Sequence, residues 1–151
     1  MFTKNFSAVV VSLFMTIVLL TGTSPVTGQD GAGVWKDNET GLTWASKDNG
    51  SEVTPAEGRS YCGSLKTGDI ADWRLPTIDE VETIYDKSIK KPYRTKGTVE
   101  LSDACVLTGS TNPTGDTWTF CFNTGSRNLG GGSGGCGTTS LALCVSGEMK
   151  K

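Results

Sequence analysis

The 151-residue chain contains no histidine. That absence removes the side chain that titrates nearest neutral pH, and with it the usual general acid or base. It also rules out any Ser-His-Asp arrangement. Cys-x-x-Cys spacing is missing too, so a zinc site has neither its usual nitrogen ligand nor a recognisable thiolate pair. There is no excess of positive charge, since 14 Lys and Arg stand against 16 Asp and Glu. A nucleic-acid binder would present a net basic face. The glycine-rich run 130–135 follows a strand-like segment, but no helix opens after it and no lysine stands where a phosphate cradle needs one.

The one long apolar run lies at the N-terminus, over residues 6–20, with Lys4 as the only charge before it. It is short for a bilayer span, which takes about 20 apolar residues. A basic start, an apolar middle and small residues around Thr27 predict a secretory signal peptide over 1–28. Residues 29–33 then form a linker, 34–146 one domain and 147–151 a tail, and no membrane span remains once the signal is removed. Without Lys4 the mature chain has 13 basic and 16 acidic side chains, a balance of −3. All five cysteines, Cys62, Cys105, Cys121, Cys136 and Cys144, fall in the exported part. An oxidising compartment, periplasmic or extracellular, makes disulfides the default. The odd number leaves at least one thiol outside intrachain pairs.

Runs 34–36 and 42–45 read as short strands joined by Asp37-Asn38-Glu39-Thr40-Gly41, a turn-forming sequence. They predict a hairpin with Trp35 and Trp44 turned inward. Two helix starts follow in the same idiom. Thr54-Pro55-Ala56-Glu57 and Thr77-Ile78-Asp79-Glu80 each place a capping hydroxyl three residues before a glutamate. The first helix, ending near Leu65 or Lys66, would bury Tyr61, Cys62 and Leu65. Gly58 and Gly63 weaken it by about 1 kcal/mol each relative to alanine, unless they admit a closely packed strand. The second helix carries Val81, Ile84 and Tyr85 as its apolar stripe. Beyond residue 99 the pattern is β, with runs at 105–108, 117–122 and 141–145. In the middle run Trp118, Phe120 and Phe122 share one face. A hairpin, two helices and a set of antiparallel strands make an α+β domain.

Asp72-Trp73-Arg74-Leu75-Pro76-Thr77 sets a large aromatic, a guanidinium and a proline directly before the second helix, an architectural corner. Arg74 is expected to be buried there, satisfied by a carboxylate and backbone carbonyls. Asp72, Asp69, Asp79 and Glu80 are its acidic neighbours in sequence. Trp35, Trp44, Trp73 and Trp118 are expected in the core, because a small domain depends on such large apolar groups.

Thr40-Gly41-Leu42-Thr43-Trp44, Cys62 within a helix, Trp73-Arg74-Leu75-Pro76-Thr77 and Leu143-Cys144-Val145 together resemble the bacterial Lcl C-terminal domain family, over residues 34–145. The resemblance implies a C-type-lectin-like fold related to formylglycine-generating enzymes. In that fold two helices flank a twisted antiparallel sheet, and the N- and C-terminal strands are adjacent. It also implies a Cys62–Cys144 disulfide, since the first helix and final strand are neighbours in lectin-like domains. For the remaining cysteines, Cys121 with Cys136 is the preferred pair, pinning the glycine-rich loop and leaving Cys105 over. Cys105 with Cys121, across two adjacent strands, is the alternative. The chain departs from the family at Val106-Leu107, where an aromatic pair is usual, and in its run of glycines. The 151 residues hold no Gly-X-Y stalk.

The resemblance implies binding of sulfated polysaccharide, and one segment suits that chemistry. Lys87, Lys90, Lys91, Arg94 and Lys96 surround Tyr93, with Asp86 at the edge. Cations meet sulfates while a ring packs on a sugar face. Lys90, Lys91, Tyr93 and Arg94 are the candidate ligand contacts. A lectin-like fold also suggests calcium, for which Asp103, Asn112, Asp116 and Asn123 offer oxygen, but no dense acidic motif appears. No cofactor is therefore expected. The function expected is an exported, non-catalytic binding or adhesion domain for an anionic surface glycan or another envelope component. Two alternatives are a structural or pilus-associated envelope subunit, and an oxidase related to formylglycine-generating enzymes with Cys121 and Cys136 as its reactive pair.

Overall fold

A computed structural model describes residues 33–130 and 138–150. The expected signal peptide, most of the glycine-rich run and Cys136 lie outside the described residues. In chain order the elements are β1 (Val34–Lys36), β2 (Thr43–Ala45), α1 (Pro55–Ser64), α2 (Ile78–Thr83), β3 (Cys105–Thr111), β4 (Thr117–Cys121), β5 (Ser126–Leu129) and β6 (Val145–Ser146). The strands form two antiparallel sheets of three, ordered β1-β2-β6 and β3-β4-β5, rather than a single sheet. Val106 and Leu141 bridge between the strand systems in parallel.

The N-terminal hairpin forms for local reasons. The Asp37 carboxylate accepts from the Glu39 amide at 2.9 Å and the Thr40 hydroxyl at 2.7 Å, and Gly41 supplies the left-handed backbone with φ +80°. Trp35 then lies opposite Trp44. Trp44 is wholly buried, and Trp73 is buried beside Cys62 and Cys144. Trp35 and Trp118 are only half-buried and pack against the core from its margin. Trp35 lies on the edge strand β1, with Gly97 against its ring, and Trp118 follows the β3–β4 turn, so neither is enclosed on every side.

Both helices start at capping boxes, with Thr54 and Thr77 accepting from the amides of Glu57 and Glu80. α1 buries Gly58 and Cys62, while Tyr61 and Leu65 are half-buried. A Cβ at Gly58 would meet Leu107 Cδ1 at 3.1 Å, so this glycine admits a closely packed strand; one at Gly63 would meet nothing.

The corner before α2 ties the two ends of the domain together. Arg74 and Val145 exchange backbone hydrogen bonds of 2.9 Å. The Arg74 guanidinium grips Glu80 through Nη1–Oε2 and Nη2–Oε1 contacts of 2.7 and 2.8 Å, and Nη2 also donates to the Gly147 carbonyl at 2.6 Å. Glu80 Oε2 accepts the Thr77 amide as well, at 2.8 Å. The expected pattern of partners is present, but the burial is reversed. The Arg74 side chain is 39% exposed and that of Glu80 only 7%. The guanidinium must stay near the surface to reach the carbonyl of Gly147, an exposed residue. Two residues on, the Pro76 carbonyl accepts from the Gly109 amide of β3 at 2.7 Å.

Two disulfides are present among the described residues. Cys62–Cys144 joins α1 to the segment entering β6, as the family resemblance implied. The second corrects the expected pairing: Cys121 is bonded to Cys105, where Cys136, outside the described residues, was the expected partner. The register of β3 and β4 sets these residues directly opposite one another, with Cα atoms 4.0 Å apart. Cys121 is buried and pairs with Ser126 of β5, a strand whose mostly polar run Ser126-Arg127-Asn128-Leu129 gave no strand signal.

Peptide mapping without reduction should recover Cys62–Cys144 and Cys105–Cys121 peptides; a Cys121–Cys136 peptide would contradict the pairing. The first bridge separates residues 82 apart and the second residues 16 apart. On the loop-entropy account they contribute on the order of 4 and 3 kcal/mol, so Cys62→Ser should lower the melting temperature more than Cys105→Ser.

Burial pushes the Glu80 carboxyl up, but Arg74 and Thr77 together hold it below its ordinary range. A carboxylate whose folded pKa is depressed contributes stability in full above the unfolded value of about 4.3. That contribution is lost as pH falls through the folded value. Glu80→Gln should therefore be less stable near neutrality and lose less stability on acidification, which melting curves across the acid range would test.

Candidate functional site

The basic segment expected to carry ligand contacts is an ordered loop leaving α2. The Asp86 amide donates to the Arg94 carbonyl at 3.0 Å, and the Lys96 amide to the Ile84 carbonyl at 2.8 Å. Tyr85 and Thr95 form a bridge, and the buried Thr95 hydroxyl donates to the Val99 carbonyl at 2.6 Å. At the loop's edge the Ser88 hydroxyl and amide hold the Asp86 carboxyl below its ordinary range.

The loop divides the candidate residues. Lys91, Pro92 and Tyr93 line an open pocket of about 380 Å³ whose other walls include Val99, Glu100 and Leu101. Lys91 Nζ donates to the Gly97 carbonyl at 2.9 Å, which holds the ammonium at the rim. Lys87 and Lys90 are exposed and make no ion pair among the described residues. Lys96 is paired with Glu39 at 3.2 Å.

Arg94 is taken out of the cluster. It adopts φ +50°, and its Nη1 donates to the Asn123 carbonyl at 3.1 Å and the Tyr85 hydroxyl at 3.3 Å. Its nearest work is therefore to hold the β4–β5 turn. Tyr85, whose hydroxyl accepts from Arg94, braces the same turn. Gly125 has φ +73°, and a Cβ there would lie 2.6 Å from Tyr85 Cζ. The turn also forms one wall of a second cavity of about 380 Å³, lined by Glu52, Asp103, Asn123, Ser126, Asn128 and the Cys105–Cys121 bridge.

The four oxygen donors weighed for calcium fall into two separate places. Asn112 and Asp116 are consumed in one turn: Asn112 Nδ2 donates to Asp116 Oδ2 at 3.0 Å, and Asn112 Oδ1 accepts the Asp116 amide at 2.8 Å. Asp103 and Asn123 face the second cavity. Among the described residues no group of three or more His, Cys, Asp or Glu could hold a metal ion. No described helix is long and apolar enough to cross a membrane.

Gly125→Ala should destabilise the domain, because alanine in left-handed backbone costs about 1 kcal/mol or more and its methyl would displace Tyr85. A drop in melting temperature with the disulfides intact is the expected result; an unchanged melt would show that Tyr85 does not brace this turn.

Comparison with known proteins bears on the whole arrangement. No curated protein and no solved structure matches the chain. The model of one family, described as the Lcl C-terminal domain, matches residues 33–145, a span containing the tryptophan hairpin, both capping boxes, the Arg74–Glu80 corner and both disulfides. On that match, the chain belongs to the Lcl C-terminal domain family.

Proposed function

We propose that this chain is an exported, non-catalytic binding domain of C-type-lectin-like fold that holds an anionic polysaccharide against the loop around Tyr93. One observation carries the proposal: a half-buried tyrosine lines an open pocket, with Lys91 at its rim and the exposed Lys87 and Lys90 on the same loop. Cavities of this size accommodate small ligands or a short stretch of a longer one. A sulfated sugar would place its ring on Tyr93 and its anionic groups among the ammonium ions. Arg94 acts behind this surface by fixing the loop to the β4–β5 turn.

Two disulfides within about a hundred residues support export to an oxidising compartment. Engagement of Cys121 with Cys105 weighs against a reactive Cys121–Cys136 pair, and so against the oxidase reading. A structural envelope subunit would draw instead on the outer edges of β1 and β5, each of which pairs on one side only among the described strands.

Heparin-affinity chromatography tests the basic loop. The mature protein should be retained and elute with added salt, and Lys90→Ala combined with Lys91→Ala should elute at clearly lower salt with an unchanged melting temperature. Equal elution of the two proteins would remove the loop from the binding surface.

A further inference from the structure

The second cavity has a chemistry opposite to that of the basic loop. Its polar walls come from Glu52, Asp103, Asn123, Ser126, Asn128 and Ser140, and the Cys105–Cys121 bridge lies along it. None of the described lining residues is basic and none is aromatic. An anion would meet two carboxylates there with no counter-charge, and a sugar ring would find no stacking platform. Hydrogen-bond acceptors predominate and several are open. Glu52 Oε2 accepts from the Thr139 hydroxyl at 3.0 Å, which leaves its other oxygen available. Asn128 commits its amide nitrogen to Cys121 Sγ at 3.3 Å and to the Ser126 carbonyl, while its Oδ1 makes no hydrogen bond among the described residues, and Asp103 accepts the Ala104 amide on Oδ1, which leaves Oδ2. The Asn123 amide and the Ser126 hydroxyl make no hydrogen bond among the described residues.

The walls are also held in place. The disulfide locks β3 to β4, and the Arg94 guanidinium and Tyr85 ring brace the turn that carries Asn123. On the other side, Ser140 exchanges backbone hydrogen bonds of 3.0 and 3.1 Å with Val53, which follows Glu52. A cavity of about 380 Å³ with fixed walls, many hydroxyl and amide groups and two carboxylates fits a ligand that is rich in donors, hydroxylated and cationic.

We propose that this cavity is a second ligand site, distinct from the loop around Tyr93, and that it takes an amino sugar. The ammonium group lies between Asp103 and Glu52, and the ring hydroxyls donate to Asn128 and exchange hydrogen bonds with Asn123 and Ser126. Charge-assisted hydrogen bonds to the two carboxylates supply the discrimination against neutral and acidic sugars.

Titration of the folded, disulfide-intact protein with glucosamine, N-acetylglucosamine and glucuronate, followed by ligand-observed NMR, tests the site. Glucosamine should bind at millimolar concentration and N-acetylglucosamine more weakly, and any glucuronate signal should come from the basic loop and be lost in the Lys90→Ala, Lys91→Ala variant. Asp103→Asn with Glu52→Gln keeps the shape of both side chains and should weaken glucosamine about tenfold or more, while Lys90→Ala with Lys91→Ala should leave it unchanged. A glucosamine tetramer that binds more tightly than the monomer assigns the site to a polymer; equal binding assigns it to a free sugar or a chain end. Absence of glucosamine binding to the wild-type protein overturns the proposal, as does glucuronate binding equal to that of glucosamine in the Lys90→Ala, Lys91→Ala variant. Glucosamine affinity that survives loss of both carboxylates overturns it as well. Heparin retention reports on the other surface, so the two sites stand or fall separately.

Discussion

The pair formed by Arg74 and Glu80 is the constraint on which the rest of the domain depends. A buried carboxylate is costly unless its oxygens are satisfied, and here both are, by a bidentate guanidinium and by the first amide of the α2 capping box. The same guanidinium reaches the Gly147 carbonyl, while its backbone pairs with Val145. One residue thus fixes the start of a helix, the path of the corner and the position of the C-terminal strand. Asp72 adds a further tie by accepting from the Ser146 hydroxyl at 2.7 Å, a bond that holds its carboxyl below its ordinary range. Arginine suits this place because its planar fork matches a carboxylate and still has donors left for carbonyls.

Around that corner the interior divides into two clusters. One gathers Trp44, Val81, Ile84, Val99, Phe120, Phe122 and Val145, with Phe120 and Phe122 meeting edge to face at 5.0 Å between ring centres. The other packs Trp73, Leu75, Leu107 and Ala142 about the Cys62–Cys144 bridge. β3 separates and serves both, since Val106 faces the first cluster and Leu107 the second. Period-two alternation in a strand buried on both faces produces this division. It also accounts for small residues at Gly58 and Ala142, where α1 comes close to the strand.

What was legible in the sequence is what is local. The capping boxes at Thr54 and Thr77 and the Asp37 turn are set by residues within a few positions of one another, and each lies where its motif placed it, whereas α2 ends at Thr83, so of its expected stripe Val81 lies in the helix and Ile84 and Tyr85 lie beyond it. Glu80 as the partner of Arg74 was one of four acidic candidates, and only the helical turn that lifts it towards the corner selects it. The register of β3 on β4 was not legible, and the Cys105–Cys121 bond follows from that register. β5 is a strand because β4 offers it a ladder, not because of its own composition. The expected strand over 141–145 is interrupted, because Ala142 exchanges hydrogen bonds with Asn49 through the Asn49 amide and side-chain oxygen. For the candidate sites, the cluster of lysines was plain, but the role of Arg94 depends on a carbonyl at Asn123. Glu52, Ser126 and Ser140 carried no signal, since only the folded chain brings them to one cavity.

The position of β6 has a consequence for how the domain is made. Leu141, Leu143 and Val145 belong to the first cluster, Cys144 closes the longer disulfide, and Gly147 receives Arg74, so the keystone of the structure lies at the C-terminal end of the domain. The hairpins, helix turns and the β3-β4-β5 sheet lie before it, but both clusters include residues from 141–145 and close only with them. Long-range closure of this kind slows folding relative to local assembly. A chain built from its N-terminus would therefore leave both clusters open until residues 141–147 have been added.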